Sequence, residues 1–82
     1  MFYVYILRSL RSGRLYIGHT EDVSRRFKEH NEGRGGRFTR DQGPWELRYS
    51  EEQADRSLAA QRERFLKSVA GSREKKRLAG VV

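Results

Sequence analysis

The sequence predicts a small α/β (α+β) domain in which a three-stranded antiparallel sheet is flanked by helices, in the order β-β-α-β-α-α. Three observations predict it. Two β-prone runs, Phe2–Leu7 and Leu15–Gly18, lie either side of a polar connection. Two later segments carry apolar residues at helical spacing, and Gly or Pro stands near most of the boundaries. Eighty-two residues make a single domain over 1–82, and a chain of this size buries roughly 60–65% of its unfolded surface, so the core is thin.

Phe2–Leu7 is continuously apolar, the pattern of a strand buried on both faces. Leu15–Gly18 is the second strand, and the short connection from Ser9 to Arg14 favours an antiparallel pair. Each strand carries a tyrosine among aliphatic residues, Tyr5 and Tyr16. Thr20 is the expected N-cap of a helix reaching Asn31, with Gly33 beyond its end. Its only apolar residues are Val23 and Phe27. At 100° per residue Arg26 falls about 60° from Val23, and His30 falls between Val23 and Phe27. This helix therefore turns an arginine and a histidine toward the sheet, whereas Arg25 belongs to solvent. An unpaired charge there is strongly unfavourable, which leaves a snorkelling arginine with a core histidine, or a functional pair.

The Gly-rich, basic stretch from Asn31 to Gly43 is expected to be a mobile loop, with Arg34, Arg37 and Arg40 around Phe38 suited to phosphate contact and stacking. A third strand follows Pro44, with Trp45, Leu47 and Tyr49 on its packed face. A helix over Ala54–Ala70, ended by Gly71, has Leu58, Phe65, Leu66 and Val69 as its core stripe, Arg62 within that stripe and Glu63 on its flank. Ser72 is the expected cap of a last helix to about Ala79, held down by Leu78.

Composition narrows the chemistry. The net charge of +7 favours a polyanionic partner, nucleic acid above all. The longest apolar run is too short for a membrane span or signal peptide. The absence of cysteine excludes disulfides and thiolate metal sites, so a cytoplasmic setting is expected. Two histidines without cysteine make a dedicated zinc site improbable. What remains is two strand tyrosines, an arginine and a histidine four residues apart, and later carboxylates. Phosphodiester hydrolysis needs an activated water, charge stabilisation and help for the leaving oxygen. Arginine matches phosphate geometry, a carboxylate-bound divalent ion stabilises charge, and a tyrosine hydroxyl lowered by positive neighbours can take the water's proton.

Those residues resemble the GIY-YIG nuclease superfamily, specifically its small stand-alone bacterial members. Tyr3-Val4-Tyr5 stands in place of the first triplet and Tyr16-Ile17-Gly18 matches the second literally. The segment from Gly18 to Asn31 is similar to the family's following helix, and Arg62-Glu63-Arg64-Phe65-Leu66-Lys67 to its metal-binding helix. The resemblance implies a metal-dependent endonuclease acting on DNA with low intrinsic sequence specificity. Tyr5 would be the general base, Tyr16 would position the water, Arg26 would bind the scissile phosphate and His30 would assist. Glu63 would hold one Mg²⁺ or Mn²⁺, with Glu51 and Glu52 as the fallback carboxylates. Two departures, Tyr3 for the family's glycine and no clear late asparagine, support the alternative of a non-catalytic nucleic-acid-binding module with a degenerate nuclease fold. An accessory subunit meeting an acidic protein is a third reading.

Overall fold

The computed structural model describes residues 1–81. Its elements are β1 (Phe2–Ser9), β2 (Leu15–Thr20), α1 (Val23–Asn31), α2 (Arg37–Gln42), β3 (Trp45–Gln53), α3 (Arg56–Lys67) and α4 (Ser72–Ala79). The β-β-α-β-α-α order holds, and the short helix α2 is inserted before β3. The three strands form one antiparallel sheet in the order β2-β1-β3, so β1 is central and β2 has a free edge.

Strand parity assigns each side chain to a layer. Val4 and Ile6 of β1, with Ile17 opposite Ile6, meet Ala59 and Leu66 of α3 and Ala79 of α4. Tyr5, Leu7 and Trp45 meet Tyr16, Val23 and Phe27 on the other face, beneath α1. Continuous apolarity in β1 thus reflects helices on both sides.

Several boundaries move. Thr20 is the last residue of β2, and Asp22 caps α1, accepting the Arg25 N–H at 3.0 Å. Asp55 does the same for α3, accepting the Leu58 N–H at 2.9 Å, so that helix starts after Ala54 and stops at Lys67, short of Ala70. Ser72 makes no side-chain cap for α4, whose buried anchor is Ala79 with Leu78 packed beside it. The expected core stripe of α3 is rotated: Ala59 and Leu66 are buried, whereas Leu58 and Phe65 are exposed and Val69 is 95% exposed beyond the helix end.

β3 does not keep a single packed face. Its register slips between Ile6, opposite Tyr49, and Leu7, opposite Leu47, so Arg48 is an extra residue. Trp45 therefore packs with Tyr5 and Tyr49 packs with Ile6, on opposite sides of the sheet. The bulged Arg48 reaches the end of α4, where its Nε donates to the Ala79 carbonyl at 2.7 Å.

The Gly-rich stretch is anchored where a mobile loop was expected. Thr39 of α2 is buried, its carbonyl accepts the Trp45 Nε1–H at 2.6 Å, and Asn31 bonds the Trp45 backbone through both its amide groups. A buried backbone carbonyl needs such a donor, and Trp45 provides it.

Candidate functional site

α1 and α3 lie on opposite faces of the sheet, α3 against β2 and β1 and α1 nearest β3 and α2. Between them is a cleft of about 380 Å³, whose walls include His19, Arg25, Arg26, Glu29 and Arg56. A larger depression of about 660 Å³ at the end of α3 is lined by Val69, Ala70, Ser72, Arg73 and Lys76 and holds no carboxylate and no tyrosine. The smaller cleft is the candidate because Arg26 lines it, as does His19, the hydrogen-bond partner of Glu63; Tyr5, Tyr16, His30 and Glu63 themselves lie behind its wall.

On the α1 side, Tyr5, Tyr16, Arg26 and His30 come together. The Tyr5 hydroxyl and His30 Nε2 are 2.8 Å apart, and His30 Nδ1 lies 2.9 Å from the Thr39 hydroxyl. The Tyr16 ring meets His30 edge-on, with centroids 4.9 Å apart, and lies 6.4 Å from the Tyr5 ring. Arg26 donates to Glu29 at 3.0 Å and to the Gly35 carbonyl at 3.2 Å, and its positive charge acts on Tyr5. The cluster is tightly built because two glycines border it. A Cβ at Gly18 would stand 2.7 Å from Tyr5 Cζ, and one at Gly35 would stand 2.7 Å from His30 Cγ.

Burial decides the protonation of this pair. His30 is 1% exposed, and burial followed by the neighbouring Arg26 charge lowers its pKa to about 4, so the imidazole is neutral near pH 7. Tyr5 departs from the expectation of a lowered pKa. Burial and then the neighbouring Tyr16 push it up, and the pull of Arg26 in the other direction is too weak to reverse this. Tyr5 therefore keeps its proton in the free protein.

Glu63 stands apart from these four. Its Oε1 accepts His19 Nδ1–H at 2.6 Å and its Oε2 accepts from Lys67 Nζ at 2.6 Å. His19 is opposite Val4 in the β1–β2 pairing, on the α3 face, whereas Tyr16 and Tyr5 share the α1 face. The two halves meet around the β2 edge: Lys67 Nζ sits 5.9 Å from the Tyr16 ring centroid, and the Glu63 charge is near enough to contribute to the raised Tyr5 pKa.

No group of three or more histidine or acidic side chains within reach of one ion occurs among the described residues. A single hard carboxylate oriented by a histidine N–H nevertheless suits an ion that keeps most of its ligands as water and phosphate, as Mg²⁺ does. The fallback carboxylates do not join the cluster. Glu51 is held by Tyr49, Gln53 and Arg62 on the α3 face, and Glu52 is exposed, opposite Tyr3. Arg34 and Arg40 are exposed but paired with Glu32 and Asp41, and Arg37 is exposed on the first turn of α2.

Sequence reasoning missed His19, Thr39 and Lys67. His19 was legible in principle, since a strand continued past Gly18 turns it away from Tyr16. Thr39 carried no local signal, because its burial depends on Trp45 and His30.

A family model described as the GIY-YIG catalytic domain matches residues 1–77. The chain is 45% identical over 74 residues to a UPF0213 protein of Haloquadratum walsbyi, spanning 90% of this chain and 80% of that one. It is 40% identical over 81 residues to a UPF0213 protein of Vibrio cholerae, spanning 98% and 79%. The solution NMR structure of a UPF0213 protein from Bacillus halodurans aligns with a TM-score of 0.54 at 36% identity, over 99% of this chain and 85% of that one. No described helix is long and apolar enough to cross a membrane.

Proposed function

The chain belongs to the GIY-YIG catalytic-domain family, and on that premise we propose that it is a metal-dependent phosphodiester hydrolase of endonuclease type, acting on DNA with low intrinsic sequence specificity. The observation that carries this reading is the buried Tyr5–His30 hydrogen bond, 2.8 Å long, beside an arginine that lines an open cleft. A core tyrosine and histidine need no arginine next to them, whereas a site for phosphate does.

In this reading Arg26 binds the scissile phosphate, exchanging its present partners for phosphate oxygens. Tyr5 is the general base despite its raised pKa, because its own proton has an acceptor. As the attacking water passes a proton to the Tyr5 oxygen, the phenolic proton moves to His30 Nε2, and the water oxygen bonds to phosphorus. The His30 imidazolium so formed is disfavoured by burial and by Arg26, and the negative charge of the bound phosphodiester offsets the second of these. Tyr16, packed on His30, lines the approach of the water. Glu63 holds the divalent ion, Mg²⁺ or Mn²⁺, which when bound stabilises charge on the departing oxygen. His19 orients that carboxylate, and Lys67, half-exposed on a flexible stem, is the partner the carboxylate would release in order to hold the ion. Arg34, Arg37 and Arg40 grip the backbone nearby.

A nicking assay on supercoiled DNA with Mg²⁺ or Mn²⁺ tests this. The parent should cut, and Glu63→Ala and Arg26→Ala should each lose at least about 100-fold. Equal cutting by either variant overturns its assigned role. The pairing of both Glu63 oxygens within the protein favours a second reading, a binding module without catalysis. That reading predicts salt-sensitive binding that persists in EDTA and no product with any metal.

A further inference from the structure

We infer that Thr39 is a positioning residue that holds His30 in its Nδ1–H tautomer and thereby directs the Tyr5 hydroxyl proton to Nε2, leaving the tyrosine oxygen lone pairs free to accept. Its catalytic consequence rests on the hydrolase reading; the tautomer itself does not.

Two independent features of the hydrogen bonding select this arrangement. The first lies at Nδ1. The Thr39 hydroxyl has one proton, and that proton has a carbonyl acceptor, Gly36 O at 3.3 Å. With the proton so placed, the Thr39 oxygen meets His30 Nδ1 at 2.9 Å as an acceptor, which requires Nδ1 to carry hydrogen. The second lies at Nε2. Arginine offers donors only, so the neighbouring Arg26 gives the phenolic proton no acceptor. The phenolic proton then needs an acceptor, because Tyr5 is buried and an unsatisfied donor there is strongly disfavoured. His30 Nε2 is that acceptor at 2.8 Å. A neutral imidazole with hydrogen on Nδ1 satisfies both ends; in the opposite tautomer Thr39 must turn its proton from Gly36 to Nδ1, and the phenolic proton of Tyr5 is left without an acceptor.

The result is a directed chain from Tyr5 through His30 and Thr39 to the Gly36 carbonyl. Thr39 can serve as its anchor because it is 1% exposed and its own carbonyl is held by Trp45. The absence of a side chain at Gly35 lets the α2 segment come close enough for this contact. The chain also links the site to the segment bearing Arg37 and Arg40.

Nitrogen-15 long-range correlation spectra of the imidazole, recorded near neutral pH without DNA or metal, test the inference directly. The parent should show Nδ1 protonated and Nε2 bare. Thr39→Val should move the two nitrogens toward a tautomer mixture, while Thr39→Ser keeps the parental pattern. A parent with hydrogen on Nε2 overturns the inference, as does a folded Thr39→Val protein with unchanged nitrogen shifts. If Thr39→Val does not fold, the parent and Thr39→Ser spectra still decide. On nicking, Thr39→Val should lower kcat about tenfold with KM unchanged, the rate equivalent of one lost hydrogen bond, and Thr39→Ser should restore it. A parental tautomer as stated together with an inactive parent refutes the hydrolase reading and leaves the positioning intact.

Discussion

Gly18→Ala is the perturbation whose cost the packing defines most tightly. The added methyl would stand 2.7 Å from Tyr5 Cζ and nearer still to the hydroxyl, so the ring must retreat about 0.7 Å at Cζ and about 1 Å at the hydroxyl to regain an ordinary 3.4 Å contact. It has little room. His30 Nε2 is hydrogen-bonded to that hydroxyl at 2.8 Å, and the far side of His30 rests on the Gly35 backbone. Either the row is compressed or the Tyr5–His30 bond opens. Overpacking of a tight core costs about 1–3 kcal/mol, and a buried group left unsatisfied about 1–3 more. The entropic gain of Ala over Gly in the unfolded chain returns up to about 1 kcal/mol. A net loss of about 1–2 kcal/mol is expected if the row is only compressed and about 3–5 kcal/mol if the bond also opens, against a total stability of about 4–12 kcal/mol for a chain of this length. Urea denaturation should show a lower midpoint at unchanged slope, and nicking should fall more steeply than the folded fraction. A Gly18→Ala protein that unfolds at the parental midpoint, with parental His30 nitrogen shifts, would refute the wedge.

Further outcomes are expected. His30, lowered to about 4 from 6.5, is neutral when folded, so the unfolded chain binds the extra proton between those values. Stability should be fully present above about pH 6.5 and fall by about 2–3 kcal/mol toward pH 4; His30→Gln should flatten that limb in a pH series of denaturation curves. Arg62, which bonds Glu51 at 3.0 Å and Glu74 at 2.6 Å, should cost about 1–2 kcal/mol as Arg62→Ala. Glu63→Ala, one residue on, should change the melting temperature little, so thermal melts separate the two roles. Replacing Arg34, Arg37 and Arg40 together with Ala should make the dependence of log binding constant on log salt shallower by about 2–3, as read by anisotropy titration. An unchanged slope would remove them from the interface.

The sheet and the order of its main helices were legible because they follow from long local patterns: two apolar runs, a Pro-led strand and two amphipathic segments. Arg26 and His30 were legible from the wheel alone, since α1 has too few apolar residues to be misaligned. α3 was not, because Leu58 and Phe65 looked like core by residue type, while the small Ala59 is what the close approach of helix to sheet selects. Thr39 and the ordering of the Gly-rich stretch were invisible because they are tertiary: Trp45, six residues later, supplies the donor that fixes them. The double allegiance of β3 was hidden for the same reason, since a bulge is a property of the strand pair. Tyr5 was singled out from its place in the strand, but its protonation follows from burial, which a strand pattern does not quantify.

The parity of β1 has a consequence for how this chain can change. Neighbouring residues of one strand answer to different demands: Val4 and Ile6 to the packing of α3 and α4, Tyr5 and Leu7 to the cluster under α1. A drift toward larger or smaller side chains at Val4 or Ile6 can be matched by Ala59, Leu66 or Ala79 without disturbing the tyrosine–histidine row. Deleting a single residue between them has no such remedy. It would turn the hydroxyl into the aliphatic layer and an isoleucine into the hydrogen-bonded one, exchanging the two vocabularies along the whole strand. Substitution tolerance in β1 should therefore be high at one phase and low at the other, and length tolerance nil.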